Sequence, residues 1–347
     1  PTHVVLTAGD IPVIDVPSTT MEVTSTTMDV TSTTMDVTST TMDARTAVPF
    51  VGGETAALQR LHYYFDKQLP TTYKDTRNEM LGADYSTKFS LWLATGSISA
   101  RRIVKDLDTY ETAVTSNKST YWIWFELLWR DFFRFQAMKQ GTSMFHIYGP
   151  QKNTTKTWRQ DQQQFELWTQ GRTGHPLVDA NMIELKTTGF MSNRGRQIVA
   201  SFLTKDMQLD WRMGAAHFEE YLIDYECGAN WGNWSYAAGV GCDPREDRYF
   251  SIPKQGNTYD PKAEYIKAWL PLLSKCSPSQ LLQSKVEGVD PTVYPNPPAI
   301  KLKFNGRNTK WNHTSTTLRN SNSNTRNNSN SNNNTRNNSN SDSNNST

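Results

Sequence analysis

Between residues 50 and 275 apolar side chains return every three or four positions, the interval that lines one face of an α-helix. In GGETAALQRLHYYFDKQ, Leu58, Leu61, Tyr64 and Phe65 form one broad stripe behind two glycines, which predicts a helix with that face buried. SISARRIVKDLDTYETAV repeats the pattern behind Ser99, a residue suited to capping a helix N-terminus. STYWIWFELLWRDFFRFQAMKQG predicts a long aromatic helix ended by Gly141, and NRGRQIVASFLTKDM and AAHFEEYLIDYE predict two more. Period-two runs bounded by hairpin turns are scarce. The predicted fold class is therefore all-α, with one helical body.

The pattern fails at both ends. Residues 18 to 43 repeat a seven-residue unit, STTMEVT then STTMDVT, whose Met and Val stand two apart and cannot supply a coiled-coil seam. From Asn305 onward the tail, with runs such as NTRNNSNS, has almost nothing apolar to bury, so ordering it would cost chain entropy without return. The expected organisation is a disordered threonine-rich repeat at 1–48, a helical domain at 49–300 and a disordered Asn/Ser/Thr-rich tail at 301–347.

Composition removes several function classes. Lys plus Arg number 36 against 34 Asp plus Glu, a formal charge of +2 over 347 residues, so any nucleic-acid surface must be local. No run of 18 uncharged apolar residues occurs, and the N-terminus lacks a basic region followed by an apolar stretch. Neither a membrane span nor a standard secretory signal is expected. Cys227, Cys242 and Cys276 are odd in number and form no CxxC, which argues against a disulfide framework and against a metal site. No GxxxxGK[ST] motif supports nucleotide hydrolysis.

The chemistry-bearing residues cluster. DWRMGAAHFEEYLIDYECGANWGNWSYAAG, residues 210–239, sets Trp211, Trp231 and Trp234 near Asp224, Glu226 and Asn230 in sequence. Rings alone would serve as filler, but acids and an amide among them need partners or water, which suits a pocket. In WFELLWRDFF, Glu126 and Arg130 are four apart and can pair along one helix face, with Trp129 turned about 100 degrees from Arg130. An ordinary surface ion pair beside core aromatics is the competing reading, and the segment taken alone favours it. GFMSNRGRQIVASFL places Asn193, Arg196 and Gln197 within two turns, and Gly195 leaves room for a ligand or a neighbouring backbone. Surface decoration is the competing reading there. YKDTRNEMLGADYSTKFS gathers Ser86, Thr87 and Ser90 around Lys88, a composition suited to gripping phosphate.

Six segments, GGETAALQRLHYYF, TRNEMLGADYSTKFSLWLATGSIS, FELLWRDFFRF, GHPLVDANMIELKTTGFMSNRGRQIVASFL, DWRMGAAHFEEYLIDYE and NWGNWSYAAGVGCDPREDRYF, resemble in order the flavin-binding helical domain of DASH-type cryptochromes, within the cryptochrome and DNA photolyase superfamily. The resemblance runs from Val51 to Leu273. It implies FAD in a folded, U-shaped conformation. By the same resemblance Tyr73 and the run Ser86, Thr87, Lys88, Phe89, Ser90 meet the phosphate region, with Glu126 and Arg130 on the aromatic helix. Arg196 would pair with Asp224 against the flavin, Asn193 and Glu226 would line other parts of the pocket, and Asn230 would face the redox-active edge. Trp234, Trp211 and Trp158 match the family's electron-transfer chain from flavin to solvent, while Trp168 and Trp231 are left as detours or packing.

The implied activity is light-driven reversal of cyclobutane pyrimidine dimers, by an electron lent from reduced flavin and returned once two carbon–carbon bonds have broken. Glu126 is the implied contact to the dimer's polar groups, and Trp129 and Tyr236 its aromatic walls. Gln197 and Tyr236 stand where duplex-repairing bacterial-type photolyases carry Met and Trp. A wetter wall and a smaller ring repay less of the cost of flipping bases, so single-stranded or looped damaged DNA is the implied partner. Lys88, Arg172, Arg194 and Lys205 are candidate phosphate contacts. Glu226 departs from the family's aspartate, Leu91 and Ala100 replace prolines, and Trp231 stands where tyrosine is common. The family's N-terminal α/β domain has no counterpart, so no folate antenna is expected. Two other readings stay open. One is a blue-light flavoprotein photoreceptor, or a nucleic-acid-binding protein, that acts through RNA or a signalling protein without repair. The other is a truncated remnant. The expected state is an intracellular monomer, with chloroplast, mitochondrion and nucleus all left open.

Overall fold

The structure of the protein, a computed structural model, describes residues 43–243, 248–286 and 288–297. The threonine–methionine repeat as far as residue 42 and the tail from 301 lie outside the described residues. Thirteen α-helices occupy the rest: α1 Glu54–Asp66, α2 Tyr73–Thr76, α3 Ser90–Ala94, α4 Ala100–Ala113, α5 Lys118–Gln140, α6 Gln162–Thr169, α7 Pro176–Thr188, α8 Asn193–Ser201, α9 Trp211–Tyr221, α10 Cys227–Ala238, α11 Ile252–Tyr259, α12 Glu264–Trp269 and α13 Pro278–Leu282. The all-α expectation holds. Among the described residues the single sheet-like contact is an isolated parallel bridge between Arg159 and Leu209.

Helix boundaries follow local chemistry. Ser99 accepts a hydrogen bond from the Arg102 backbone N–H at 3.1 Å and starts α4. The long helix α5 opens on a reciprocal cap, in which the Asn117 side chain accepts from the backbone of Ser119 and Thr120 while the Thr120 hydroxyl accepts from the Asn117 N–H. It stops at Gly141, whose φ of 53° suits a residue without a Cβ. In α1 the buried face is turned from the expected stripe: Ala57, Arg60, Leu61 and Tyr64 are buried, whereas Leu58 and Phe65 are half-buried. Arg60 can enter the interior because its guanidinium donates to the carbonyls of Ala83, Ser86 and Thr87 at 2.9 to 3.1 Å.

Two packed regions hold the site between them. One joins α1, α3, α4 and the start of α5 around Leu61, Tyr64, Trp92, Ile103 and Leu107. The other surrounds α7, whose Leu177, Met182 and Leu185 are fully buried against α8, α12 and α13. Helix α10 packs on both α9 and α5, tying the regions together. Packing begins a little before the expected boundary at residue 49, since Val48 is buried and Arg45 stacks 4.3 Å over Trp269 while donating to the Ala268 carbonyl.

Candidate functional site

A cleft of about 530 Å³ lies between α5 and the layer formed by α8 and α10, and an adjoining recess of about 170 Å³ reaches Trp234. Each wall comes from a different element. Glu126, Trp129 and Arg130 project from α5, and Tyr73 comes from α2. Thr87, Phe89 and Ser90 come from the turn into α3, and Asn193, Arg196 and Gln197 from the first turns of α8. Asp224 and Glu226 precede α10, which adds Tyr236 to the cleft and Asn230 to the recess.

Arg196 and Asp224 meet as expected. One guanidinium nitrogen of Arg196 lies 3.0 and 2.8 Å from the two Asp224 oxygens, and its Nε donates to the Met191 carbonyl at 2.9 Å. The Gly195 backbone that brings α8 to this position approaches α7 so closely that a Cβ there would lie 1.9 Å from Asn181 Oδ1. Glycine is thus required for packing between these helices rather than for access by a ligand.

The expected Glu126–Arg130 pair does not form. Glu126 instead pairs with Arg77 at 2.6 Å, because α2 packs against α5 and its C-terminal arginine reaches the carboxylate first. Burial raises the Glu126 pKa above its ordinary value, and the Arg77 guanidinium pulls it back. Arg130 donates to the Leu93 carbonyl at 3.2 Å and lies 3.7 Å from Asp131. Burial lowers its pKa, with Arg134 acting in the same direction.

Lys88 and Ser86 also part company with their motif. Lys88 adopts a left-handed backbone, φ 62°, and its ammonium is buried 3.1 Å over the Tyr85 ring with no hydrogen-bond partner. Desolvation drives its pKa well down, and Glu184 opposes that shift. Neither Lys88 nor Ser86 lines the cleft, and the Ser86 carbonyl serves Arg60. Nor do the other candidate phosphate contacts reach the cleft: Lys205 donates to the Ala238 carbonyl, Arg194 donates to Asn78, and Arg172 is exposed elsewhere.

The extra methylene of Glu226 is taken up by a local role. Its Oε2 accepts from the Ala229 backbone N–H at 2.7 Å and caps α10, while Oε1 lies 3.7 Å from Arg134. Asn230 donates to the Ala215 carbonyl at 2.9 Å, which anchors its amide in the recess wall. Gln197 leaves its Oε1 buried without a protein partner. Tyr236 lies 6.5 Å from Trp129, edge to face, and its hydroxyl accepts from Arg248 at 2.6 Å. Arg248 is held in turn by Asp243 at 2.7 Å.

Lining residues that the sequence pattern does not mark include Arg77, Arg248 and Phe250. All stand inside or beside the segments TRNEM and REDRYF, but nothing local distinguishes them from surface residues.

The tryptophans occupy different surroundings. Trp234 borders the recess and packs on α9 where Gly214 leaves room, since a Cβ there would lie 2.3 Å from the indole Cη2. Its ring meets Phe218 at 5.0 Å and Trp168 at 6.1 Å. Trp211 is fully buried and donates to the Ile147 carbonyl at 3.0 Å, with Trp231 5.8 Å away. Trp158 is half-buried, and its Nε1 has no acceptor.

A protein-family profile described as the FAD binding domain of DNA photolyase matches residues 122–303. Cryptochrome DASH, chloroplastic/mitochondrial, of Oryza sativa is 61% identical over 231 residues, which are 66% of this chain and 40% of that protein. Cryptochrome DASH of Synechocystis sp. is 56% identical over 230 residues, 66% of this chain and 47% of that protein. The chain thus spans less than half the length of these relatives. Among solved structures, the Synechocystis cryptochrome superposes with a TM-score of 0.68 at 54% identity, covering 70% of this chain and 50% of the other. A bacterial class III photolyase from Agrobacterium tumefaciens gives 0.64 at 30% identity, covering 71% and 52%.

Proposed function

Because the chain belongs to the cryptochrome and DNA photolyase family, as a FAD-binding helical domain of the DASH type, we propose that it carries out light-driven, FAD-dependent reversal of cyclobutane pyrimidine dimers, with single-stranded DNA as the favoured substrate. One observation carries this reading. Glu126, Trp129 and Tyr236 line the same cleft as the Arg196–Asp224 pair, so groups suited to a lesion and groups suited to a flavin share one space.

The residues fit the cofactor. The cleft has the volume of a cofactor site, its walls combine aromatic faces with a few directed polar groups, and the buried Gln197 oxygen needs a donor that a ligand can bring. Arg196, locked by Asp224, presents a fixed charge to the ring system, and Asn193 offers both donor and acceptor from the next turn. The Thr87 and Ser90 hydroxyls, with the Tyr73 phenol, line the end suited to the diphosphate. Asn230 presents an amide that can accept from a protonated flavin nitrogen or donate to a deprotonated one. When bound and reduced, FAD supplies on illumination the electron that opens the dimer and takes it back afterwards.

The chain's own side chains receive and hold the lesion. Trp129 and Tyr236 offer the rings against which flipped pyrimidines stack, and Arg248 fixes the Tyr236 hydroxyl. Glu126 accepts from a base imide N–H when ionised and donates to a base carbonyl when protonated, with Arg77 favouring the first form. Arg77, Arg130 and Arg248 place positive charge along the cleft, where a phosphate backbone would approach. Gln197 and Tyr236 give a modest grip, which favours a lesion already unpaired.

The test is dimer reversal by prereduced, FAD-loaded protein under near-ultraviolet and blue light, on matched single- and double-stranded substrates. Faster repair of the single strand is expected. Equal rates on both would refute the preference, and illumination that reduces flavin without reversing dimers would favour a blue-light flavoprotein that does not repair.

A further inference from the structure

The light-driven reduction that readies such a flavin needs electrons from the protein surface, and the structure distinguishes the candidate tryptophans by what their indole N–H groups touch. Resting on the FAD-bound reading above, we propose that Trp231, with Glu219 as its proton acceptor, is the terminal electron donor of this path in place of Trp158.

Losing an electron makes an indole N–H strongly acidic. If a base waits at hydrogen-bond distance, the proton leaves, and the neutral radical that remains is re-reduced more slowly, because a proton must return with the electron. Charge separation therefore lasts longest where the last tryptophan donates to a carboxylate. Trp231 Nε1 donates to Glu219 Oε2 at 2.8 Å, and it is the one indole among the described residues that donates to a carboxylate. Glu219 is exposed, so water can carry the proton away.

The other candidates lack this feature. Trp211 donates to the Ile147 carbonyl, a feeble base, in a fully buried position. Trp168 is fully buried, and its Nε1 has no acceptor. Trp158 likewise holds a buried Nε1 without a partner, and it joins none of the close ring pairs among the described residues. A cation left there has no base at hydrogen-bond distance to take its proton.

The route to Trp231 passes between α9 and α10. Trp234 borders the recess and lies against α9 at Gly214, one turn from Trp211 on the same helix. Trp211 meets Trp231 at 5.8 Å with their planes at 77°. Trp234 gives one electron to the photoexcited oxidised flavin, Trp211 refills Trp234, and Trp231 refills Trp211. The Trp231 N–H proton then passes to the Glu219 carboxylate. The balance is one electron gained by the cofactor, one electron and one proton lost by Trp231, and one proton gained by Glu219. A reductant in solution, such as a thiol, later restores Trp231.

The experiment follows FAD-loaded protein by transient absorption and electron paramagnetic resonance after a flash, with nitrogen-15 NMR of the indole N–H groups in the dark as a readout independent of photochemistry. A long-lived neutral tryptophanyl radical is expected in wild type, lost in Trp231→Phe and still formed in Trp158→Phe. Glu219→Gln should leave a short-lived cation radical instead, and should move one indole N–H resonance, that of Trp231. Retention of the neutral radical in Trp231→Phe with its loss in Trp158→Phe would overturn the assignment, as would an unchanged radical in Glu219→Gln. A bound flavin whose spectrum does not change on illumination of wild type would overturn both this proposal and the light-driven reading beneath it, and that outcome is seen before any variant is compared.

Discussion

Asp224 holds Arg196 from the drier side of their contact: both of its oxygens lie within 3.0 Å of one guanidinium nitrogen, and 2% of its side chain is exposed against 26% of the arginine. Removing the aspartate leaves a partly buried cation without its counter-charge, a change that typically costs about 3 kcal/mol or more. Asp224→Ala should therefore purify with little FAD and unfold at a lower temperature. Flavin absorbance per mole of purified protein, read beside a melting curve, checks both. Wild-type flavin content in that variant would end the clamp's role.

The Glu126 carboxylate has opposing influences on its protonation, with burial raising its pKa and Arg77 lowering it. Arg77→Met removes the second, so the pKa of Glu126 must rise further. The limb of the pH–repair profile that depends on Glu126 should then move to higher pH, and Glu126→Gln should abolish that limb. Repair rates of prereduced protein across the pH range supply the comparison. Identical profiles for wild type and Arg77→Met would show that Glu126 does not act on the lesion.

Gln197 and Tyr236 can be exchanged for a drier and larger pair. Gln197→Met with Tyr236→Trp adds stacking area and replaces a polar wall by an apolar one, which should raise repair of duplex dimers by about tenfold. Single-stranded repair should change far less. Quantifying dimers on both substrates, with each single variant included, separates the two contributions, and an unmoved ratio would place the preference elsewhere.

Asp206 should make the fold lose stability as pH rises from acid toward neutrality. Its carboxyl is pushed up to about 7 from an ordinary 3.8, chiefly by burial, although the Tyr249 hydroxyl donates to it at 2.9 Å. Below 3.8 the group is protonated whether the chain is folded or not. Between that value and about 7 the folded state keeps a proton that the unfolded chain has released, so stability falls as pH rises, and above about 7 the loss is complete. The slope from this group approaches about 1.4 kcal/mol per pH unit at most. Asp206→Asn retains an acceptor for Tyr249 and cannot ionise. Urea midpoints at pH 5 and 8 should differ less for the variant than for wild type, and equal differences would refute the assignment.

Helix positions were legible wherever a period of three to four met a cap, as at Ser99 and Gly141. Orientation was less so. The stripe on α1 turned because Arg60 found carbonyls inside, and no spacing rule shows a charged residue as core. Lys88 sits between Thr87 and Ser90, which line the cleft, yet its left-handed backbone sends the ammonium inward. Arg77 reaches Glu126 only because a helix of four residues packs across α5, a contact between distant segments that neither one encodes alone. Arg248 lies in the REDRYF stretch, but its bond to Tyr236 exists only once α10 has folded back beside it. The Arg196–Asp224 pair was anticipated because both halves lie in segments whose order and content the resemblance covers.

At Gly214 the absence of a side chain sets the distance between two helices. The missing side chain lets the Trp234 indole lie directly on the α9 backbone, where a single methyl would overlap it. Electron tunnelling weakens exponentially with the gap between donor and acceptor, so the spacing of two helices is also a setting of conductance. On the proposed electron path, the width of one hydrogen atom on α9 would therefore govern how fast charge leaves the recess, and a chain that kept every tryptophan but filled that gap would keep its wiring while losing current.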